Sequence, residues 1–381
     1  MTSHGKSPYL HGGIAEVQVF SGKVEFTLPE GLAHGVLLDR NRIAFMFKSI
    51  VSAGLFSLCV TTGALAGTLD EVKGRGFLNC GSNPGLAGFG LPDDKGQWVG
   101  FDIDFCRAVA AAIFDDPTKV KFLPLSGKDR FTALQSGEID ILSRNTTWTQ
   151  SREVGQGFLF TGITYYDGQG FMTHRKLNLT SALELAGASI CVQQGTTTEL
   201  NLADFFRANN LQYEPVNFAT GDEALKAYDT GRCDALTTDA SGLYAQRAKL
   251  ANPDDHVVLP EIISKEPLGP LVRQGDDQWF NLVKWVHFAW LNAEEDGVTS
   301  KNLDEKTKSE SPEIKRLLGF EGNFGEGLGL TRDWIYRIIK HVGNYGEVFD
   351  RNLGEGSKLK IKRGINNLWT KGGLHYAPPV R

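Results

Sequence analysis

The sequence predicts an α/β protein built as two similar lobes that face each other across a cleft. Three observations carry that expectation. A ten-residue pattern, A-x-x-[S/T]-G-x-x-D-x-L, occurs twice, at 133–142 and at 227–236. Each copy reads as the end of a helix, a glycine stop and a buried parallel strand. Each strand then runs into a polar cluster, Ser143-Arg144-Asn145-Thr146-Thr147 in the first copy and Thr237-Thr238-Asp239 in the second. In open parallel α/β sheets ligands sit beyond the carboxyl ends of the strands, so two such edges imply a shared cleft.

The composition agrees. The chain has 381 residues, 41% of them hydrophobic and 22% charged, which is enough apolar material for a sizeable core and excludes a disordered chain. Its 44 glycines and 14 prolines show no triplet period, so it is not collagen-like. A formal charge of −5 argues against a nucleic-acid partner, which normally meets a basic surface.

The first element in chain order is a targeting segment. From Met46 the chain reads MFKSIVSAGLFSLCVTTGALAG: a lysine, an apolar run and an Ala64-Leu65-Ala66 site. That is the layout of a secretory signal peptide over 46–66, and the run is short of the roughly 20 residues that span a bilayer. Residues 1–45 are expected to be an upstream extension or tag. The mature protein is therefore expected to be exported into an oxidising compartment. Of the five cysteines Cys59 falls in the leader, and Cys80, Cys106, Cys191 and Cys233 remain for two disulfides, with three possible pairings. No CxxC or HExxH occurs, so no metal site is expected.

A short strand at 77–80 leads into a glycine-rich loop, GSNPGLAGFG, that lacks the GxGxxG spacing and following helix of a dinucleotide site. Next comes a helix over GFDIDFCRAVAAAIF, with Asp102 as its cap and Phe105, Val109 and Ala112 on one face. Residues 165–172 read as an extended crossover between the lobes. A strand at 188–193 opens into Gly195-Thr196-Thr197-Thr198-Glu199, a helix start whose backbone N–H groups point outward. The return crosses near 257–273, where Pro260, Pro267 and Pro270 limit helix. An amphipathic helix at 277–292 and another at 331–342 follow, and the tail is expected to pack on the first lobe.

Read in order, GFDIDFCRAVAAAI, ALQSGEIDILSRNTTWTQSRE, YYDGQGF, QQGTTTE and GRCDALTTD resemble the polar amino-acid class of periplasmic solute-binding proteins of ABC importers. SRNTTW and the long tail are most similar to its general L-amino-acid branch, and the resemblance covers 68–381. It implies a type II periplasmic-binding fold, with a mainly parallel sheet flanked by helices in each lobe and two crossover hinge strands. The first lobe would comprise 68–170 and 266–381, the second 171–265.

The resemblance also implies site roles. Arg152 clamps a ligand carboxylate, and Thr197 and Thr198 of the turn donate to it. Asp239 receives the ammonium. Thr147 serves both charges, with Asn145 nearby, and the loop from Asn83 to Leu86 walls the side-chain pocket. The chemistry fits, because an arginine fork suits a carboxylate and a buried carboxylate suits an ammonium.

Two departures from narrow-specificity relatives stand out. Ser126-Gly127-Lys128-Asp129-Arg130 replaces a lid aromatic and would leave a larger pocket. Arg144 stands in the first cluster, where it either attracts acidic side chains or pairs with Asp102 or Asp140. Both point to broad polar specificity, extending to bulkier derivatives or γ-linked peptides. In a two-lobed arrangement the cysteines are expected to pair Cys80–Cys106 and Cys191–Cys233, one bridge per lobe, leaving the hinge free.

The implied function is a receptor that closes on an L-amino acid and presents it to a membrane ABC permease, as a monomer and without a cofactor. The rival readings are an enzyme on the same scaffold, such as a dehydratase of amino-acid-like substrates, and a ligand-sensing module.

Overall fold

The computed structural model describes residues 17–20, 23–26 and 67–381. Val17–Phe20 and Lys23–Phe26 pair antiparallel. The expected leader at 46–66 lies outside the described residues.

Two five-stranded sheets organise residues 67–381. The first has the order Val120–Pro124, Leu78–Ser82, Ile141–Leu142, Leu271–Arg273, Phe158–Phe160. The second has the order Glu214–Phe218, Ser189–Gln193, Ala235–Asp239, Gln169–His174, His256–Val258. The sheets share one plan. The first three strands are parallel, the fourth is antiparallel to both neighbours, and that fourth strand lies just past a crossover between the lobes. The crossovers themselves, Tyr165–Asp167 and Glu266–Leu268, pair antiparallel, with Asp167 opposite Glu266.

The sequence repeat has a physical basis in this plan. Gly137 and Gly231 end the preceding helices at φ +79° and +78°, a left-handed conformation that glycine adopts at least cost. The repeat aspartates then do the same job in each lobe. Asp140 accepts the Asn79 backbone N–H (2.7 Å), and Asp234 accepts that of Ser189 (2.9 Å). Each thereby fastens the third strand of its sheet to the start of the second.

The helix Phe101–Phe114 differs from expectation in two ways. Gly100, not Asp102, is its cap residue, because the Asp102 side chain turns toward the strand end. Nor is only one face buried: Phe101 to Cys106 and Ala108 to Ala112 all lie inside. The C-terminal region covers the second face. Trp334–His341 brings Ile335, Ile338 and Ile339 against it, and Phe105 meets Trp290 of the helix Asp277–Glu295 edge-on at 5.3 Å between ring centres. A further helix, Tyr345–Asn352, opens with a capping box from Asn344 and Glu347. The tail thus completes the core of the first lobe.

Cys80 on its strand bonds Cys106 on the covering helix, and Cys191 bonds Cys233. Each bridge stays within one sheet-and-helix unit. No helix among the described residues is long and apolar enough to cross a membrane.

Candidate ligand-binding site

The first-lobe strand Ile141–Leu142 delivers the cluster 143–147 into the cleft. Asn145 takes a left-handed backbone (φ +37°), and its N–H donates to Asp102 at 2.7 Å. Strain of this kind persists only where the surroundings over-determine it. Here Asp102 also accepts from the Ser143 hydroxyl (3.3 Å), so a buried carboxyl organises the turn from below. Burial pushes that carboxyl up to about 6 against these hydrogen bonds and the nearby Arg144.

On the opposite side Ala235–Asp239 ends at Asp239. It occupies the cap position of Ala240–Arg247, yet its side chain makes no capping bond. It faces the cleft instead, 7% exposed, and shares the pocket wall with Asn145 from the other lobe. Burial, with Asp167 and Glu266 nearby, pushes the Asp239 carboxyl well above the usual range, and Arg130 and Asn145 pull the other way. An arriving ammonium would relieve the same penalty.

The pocket at Asp239 is lined by Arg130, Arg144, Asn145 and Thr147 from one lobe, and by residues including Thr197 and Thr198 from the other. Thr196 caps the helix Thr197–Ala208, accepting from Glu199 N–H at 3.3 Å. By helix geometry the Thr197 and Thr198 N–H groups have no intrahelical acceptor, so the turn presents donors to an anion.

Three buried arginines converge here, where the expectation named Arg152 and Arg144. Arg152 donates to the Thr147 carbonyl at 2.7 Å and lies just behind the pocket, its guanidinium 5.1 Å from the Phe131 ring centre. Arg130 lines the pocket itself, 4.8 Å from the same ring, bonded to Thr146 Oγ1 (3.2 Å) with its Nε unpartnered. The stretch 126–130 therefore does more than leave room: it brings in a third cation. The sequence did carry a signal for it. Arg130, Ala133 and Leu134 are the buried residues of Asp129–Gln135, at the spacing of an inward helix face.

Arg144 forms neither of the two ion pairs considered for it. Its Nε donates to the Leu125 carbonyl (2.8 Å), Asp140 is bound by Arg75, and Asp102 stays within electrostatic reach. Asn83 and Leu86 wall an adjoining cavity, joined to the first through Arg144 and Asn145.

Glu266, on the return crossover, was not anticipated. It is 1% exposed and accepts four hydrogen bonds, from Thr147 Oγ1 (2.5 Å), Thr197 Oγ1 (3.0 Å), Asn201 Nδ2 (2.6 Å) and Ser264 Oγ (2.6 Å). Ser264 is its one local donor; the other three, Thr147, Thr197 and Asn201, reach it only because both lobes meet at the hinge.

Residues 78–306 match the model of the bacterial extracellular solute-binding proteins, family 3. The chain belongs to that family. Among relatives of this solute-binding protein, the general L-amino acid-binding periplasmic protein AapJ of Rhizobium johnstonii is 60% identical over 88% of this chain and 100% of its own. The glutamate/glutamine/aspartate/asparagine-binding protein BztA of Rhodobacter capsulatus is 54% identical over 88% of this chain and 98% of its own. An ABC transporter periplasmic binding protein from Brucella ovis, solved with glutathione bound, is 63% identical, covers 83% of this chain and 100% of its own, and superposes with a TM-score of 0.82. In this solute-binding protein, as in the family's two-lobed fold, the polar strand ends of both sheets meet at one cleft.

Proposed function

We propose that the protein is a periplasmic receptor for L-α-amino acids, including acidic and amide ones and their side-chain-linked derivatives, which it presents to an ABC permease. The observation that carries this reading is the pairing, in one buried pocket, of Asp239 from one lobe with Arg130 and Arg144 from the other, Arg152 standing behind. Arginines and the Thr197 and Thr198 amides suit an α-carboxylate, and Asp239 with hydroxyl oxygens suits an α-ammonium. AapJ and BztA are named for binding amino acids, and the Brucella ovis protein was solved with a γ-linked tripeptide.

The mechanism is differential binding. Thr147 of one lobe lies 3.3 Å from Thr197 of the other, a contact that opening the cleft would break. A ligand that touches both sides therefore favours the closed form by its extra contacts there. The permease reads that closed surface, and no covalent step is involved.

The test is native mass spectrometry of the mature protein followed by thermal-shift screening with the twenty L-amino acids, γ-glutamyl peptides and simple sugars. Stabilisation by several amino acids, lost in Arg152→Ala and Asp239→Ala, is the expected result. Shifts with sugars alone, or amino-acid shifts that persist in both variants, contradict it.

A further inference from the structure

The adjoining cavity has features that a single amino acid would not use. It lies between the lobes, is joined to the Asp239 pocket through Arg144, Asn145 and Gln193, and is closed at its far end by Thr220, Gly221 and Gln246. Gln246 is 7% exposed, and its amide oxygen has no partner. Beside it the helix Gly221–Asp229 begins, with Thr220 Oγ1 already taken by Glu223 N–H at 3.2 Å. The Gly221 and Asp222 N–H groups are left without intrahelical acceptors. A Cβ at Gly221 would stand 3.3 Å from the Gln246 amide nitrogen, so the two are in close register. The Asp222 carboxylate is engaged by Lys249 (3.0 Å), which also reaches the Gly85 carbonyl across the cleft.

We infer that this cavity is a subsite for the amide-linked extension of a ligand's side chain. The inference rests on the amino-acid reading above and adds to it a rule of connectivity. The first pocket uses both the α-ammonium and the α-carboxylate. An ordinary α-peptide has converted that carboxylate to an amide and forfeits the arginines. Only a chain that leaves through the side chain keeps both charges and still reaches the second cavity. Arg144 at the junction suits the side-chain carbonyl oxygen, the Gln246 amide oxygen accepts the N–H of the new amide, and the helix start at Gly221 receives a terminal carboxylate. The ligand class is thus a γ-glutamyl or similar isopeptide.

Isothermal titration of the full chain with L-alanine, L-glutamate, γ-L-glutamylglycine and its α-linked isomer tests it. The γ-isomer is expected to bind at least about 100-fold tighter than the α-isomer, the scale of losing a buried charge partner. Gln246→Leu is expected to weaken the γ-isomer about 10-fold and leave L-alanine within about 2-fold, since its hydrogen-bond partner is the extension alone. Gly221→Ala, which crowds the Gln246 amide, is expected to act the same way, and L-alanine binding reports that each variant is folded. Equal affinity for the two isomers, or equal losses for L-alanine and the γ-isomer, overturns the subsite while leaving amino-acid binding intact. Failure of the unmodified protein to bind any of the amino acids overturns the underlying reading instead.

Discussion

The Thr147 hydroxyl donates to Glu266 Oε2 at 2.5 Å, and Thr197 donates to the same oxygen at 3.0 Å. A carboxylate has no proton to give, so it fixes both hydroxyls as donors toward itself. Their lone pairs are left for the cleft, where they suit an ammonium and not a carboxylate. The Thr197 contribution to a ligand carboxylate therefore falls to its backbone N–H. Replacing Glu266 with Gln introduces a competing donor and frees the hydroxyls to reorient. Glu266→Gln and Thr147→Val are each expected to weaken L-alanine binding about 10-fold, with a double variant well short of additive. Fully additive losses in the titration cycle would show that the two residues act separately.

Arg130 gives a second prediction. Its Nε is buried without a partner, and its guanidinium lies over Phe131 at the pocket wall. Arg130→Met is expected to cost about 2 kcal/mol or more of amino-acid binding, and Arg130→Lys to recover little, because a point charge cannot reproduce the planar fork. Calorimetry of both variants checks this; full recovery in the lysine variant would argue for charge alone.

The tail offers a test through stability. Asn366 accepts the Tyr166 N–H at 2.7 Å and donates to the Tyr166 carbonyl at 3.0 Å, so one side chain satisfies both backbone groups of a crossover residue. Asn366→Ala leaves both unpaired and is expected to destabilise the protein by about 2–4 kcal/mol in urea titrations. Loss below about 0.5 kcal/mol would mean that water replaces the amide.

Asp102 makes stability depend on pH. Its carboxyl rises from an ordinary 3.8 to about 6 on folding, chiefly through burial. The folded state therefore holds the proton more tightly, and the stability this contributes is complete below pH 3.8 and lost as pH rises through about 6. Asp102→Asn removes the effect. Relative to the unmodified protein, the variant is expected to gain about 3 kcal/mol between pH 3.8 and pH 7, from about 1.4 kcal/mol per unit. A difference between the two proteins that stays flat with pH would contradict the assignment.

Local chemistry determined much of this protein in the sequence alone. The glycine stops at Gly137 and Gly231, the repeat aspartates and the polar strand ends are short-range features, and they specify two matched lobes and the side of each sheet that faces the cleft. The Gly195–Thr198 turn and Asp239 were legible for the same reason, since a helix start and a strand end are set by neighbours in the chain. Tertiary structure decided the rest. Asp102 left its cap role for Asn145, Arg130 became a pocket cation, and the helix Phe101–Phe114 was buried on both faces by a tail more than 200 residues away. Glu266 depends on it for three of its four donors: Thr147, Asn201 and Thr197 lie 119, 65 and 69 residues away in sequence. A carboxylate is worth burying only where such donors converge, and their convergence is a property of the closed fold and of no segment within it.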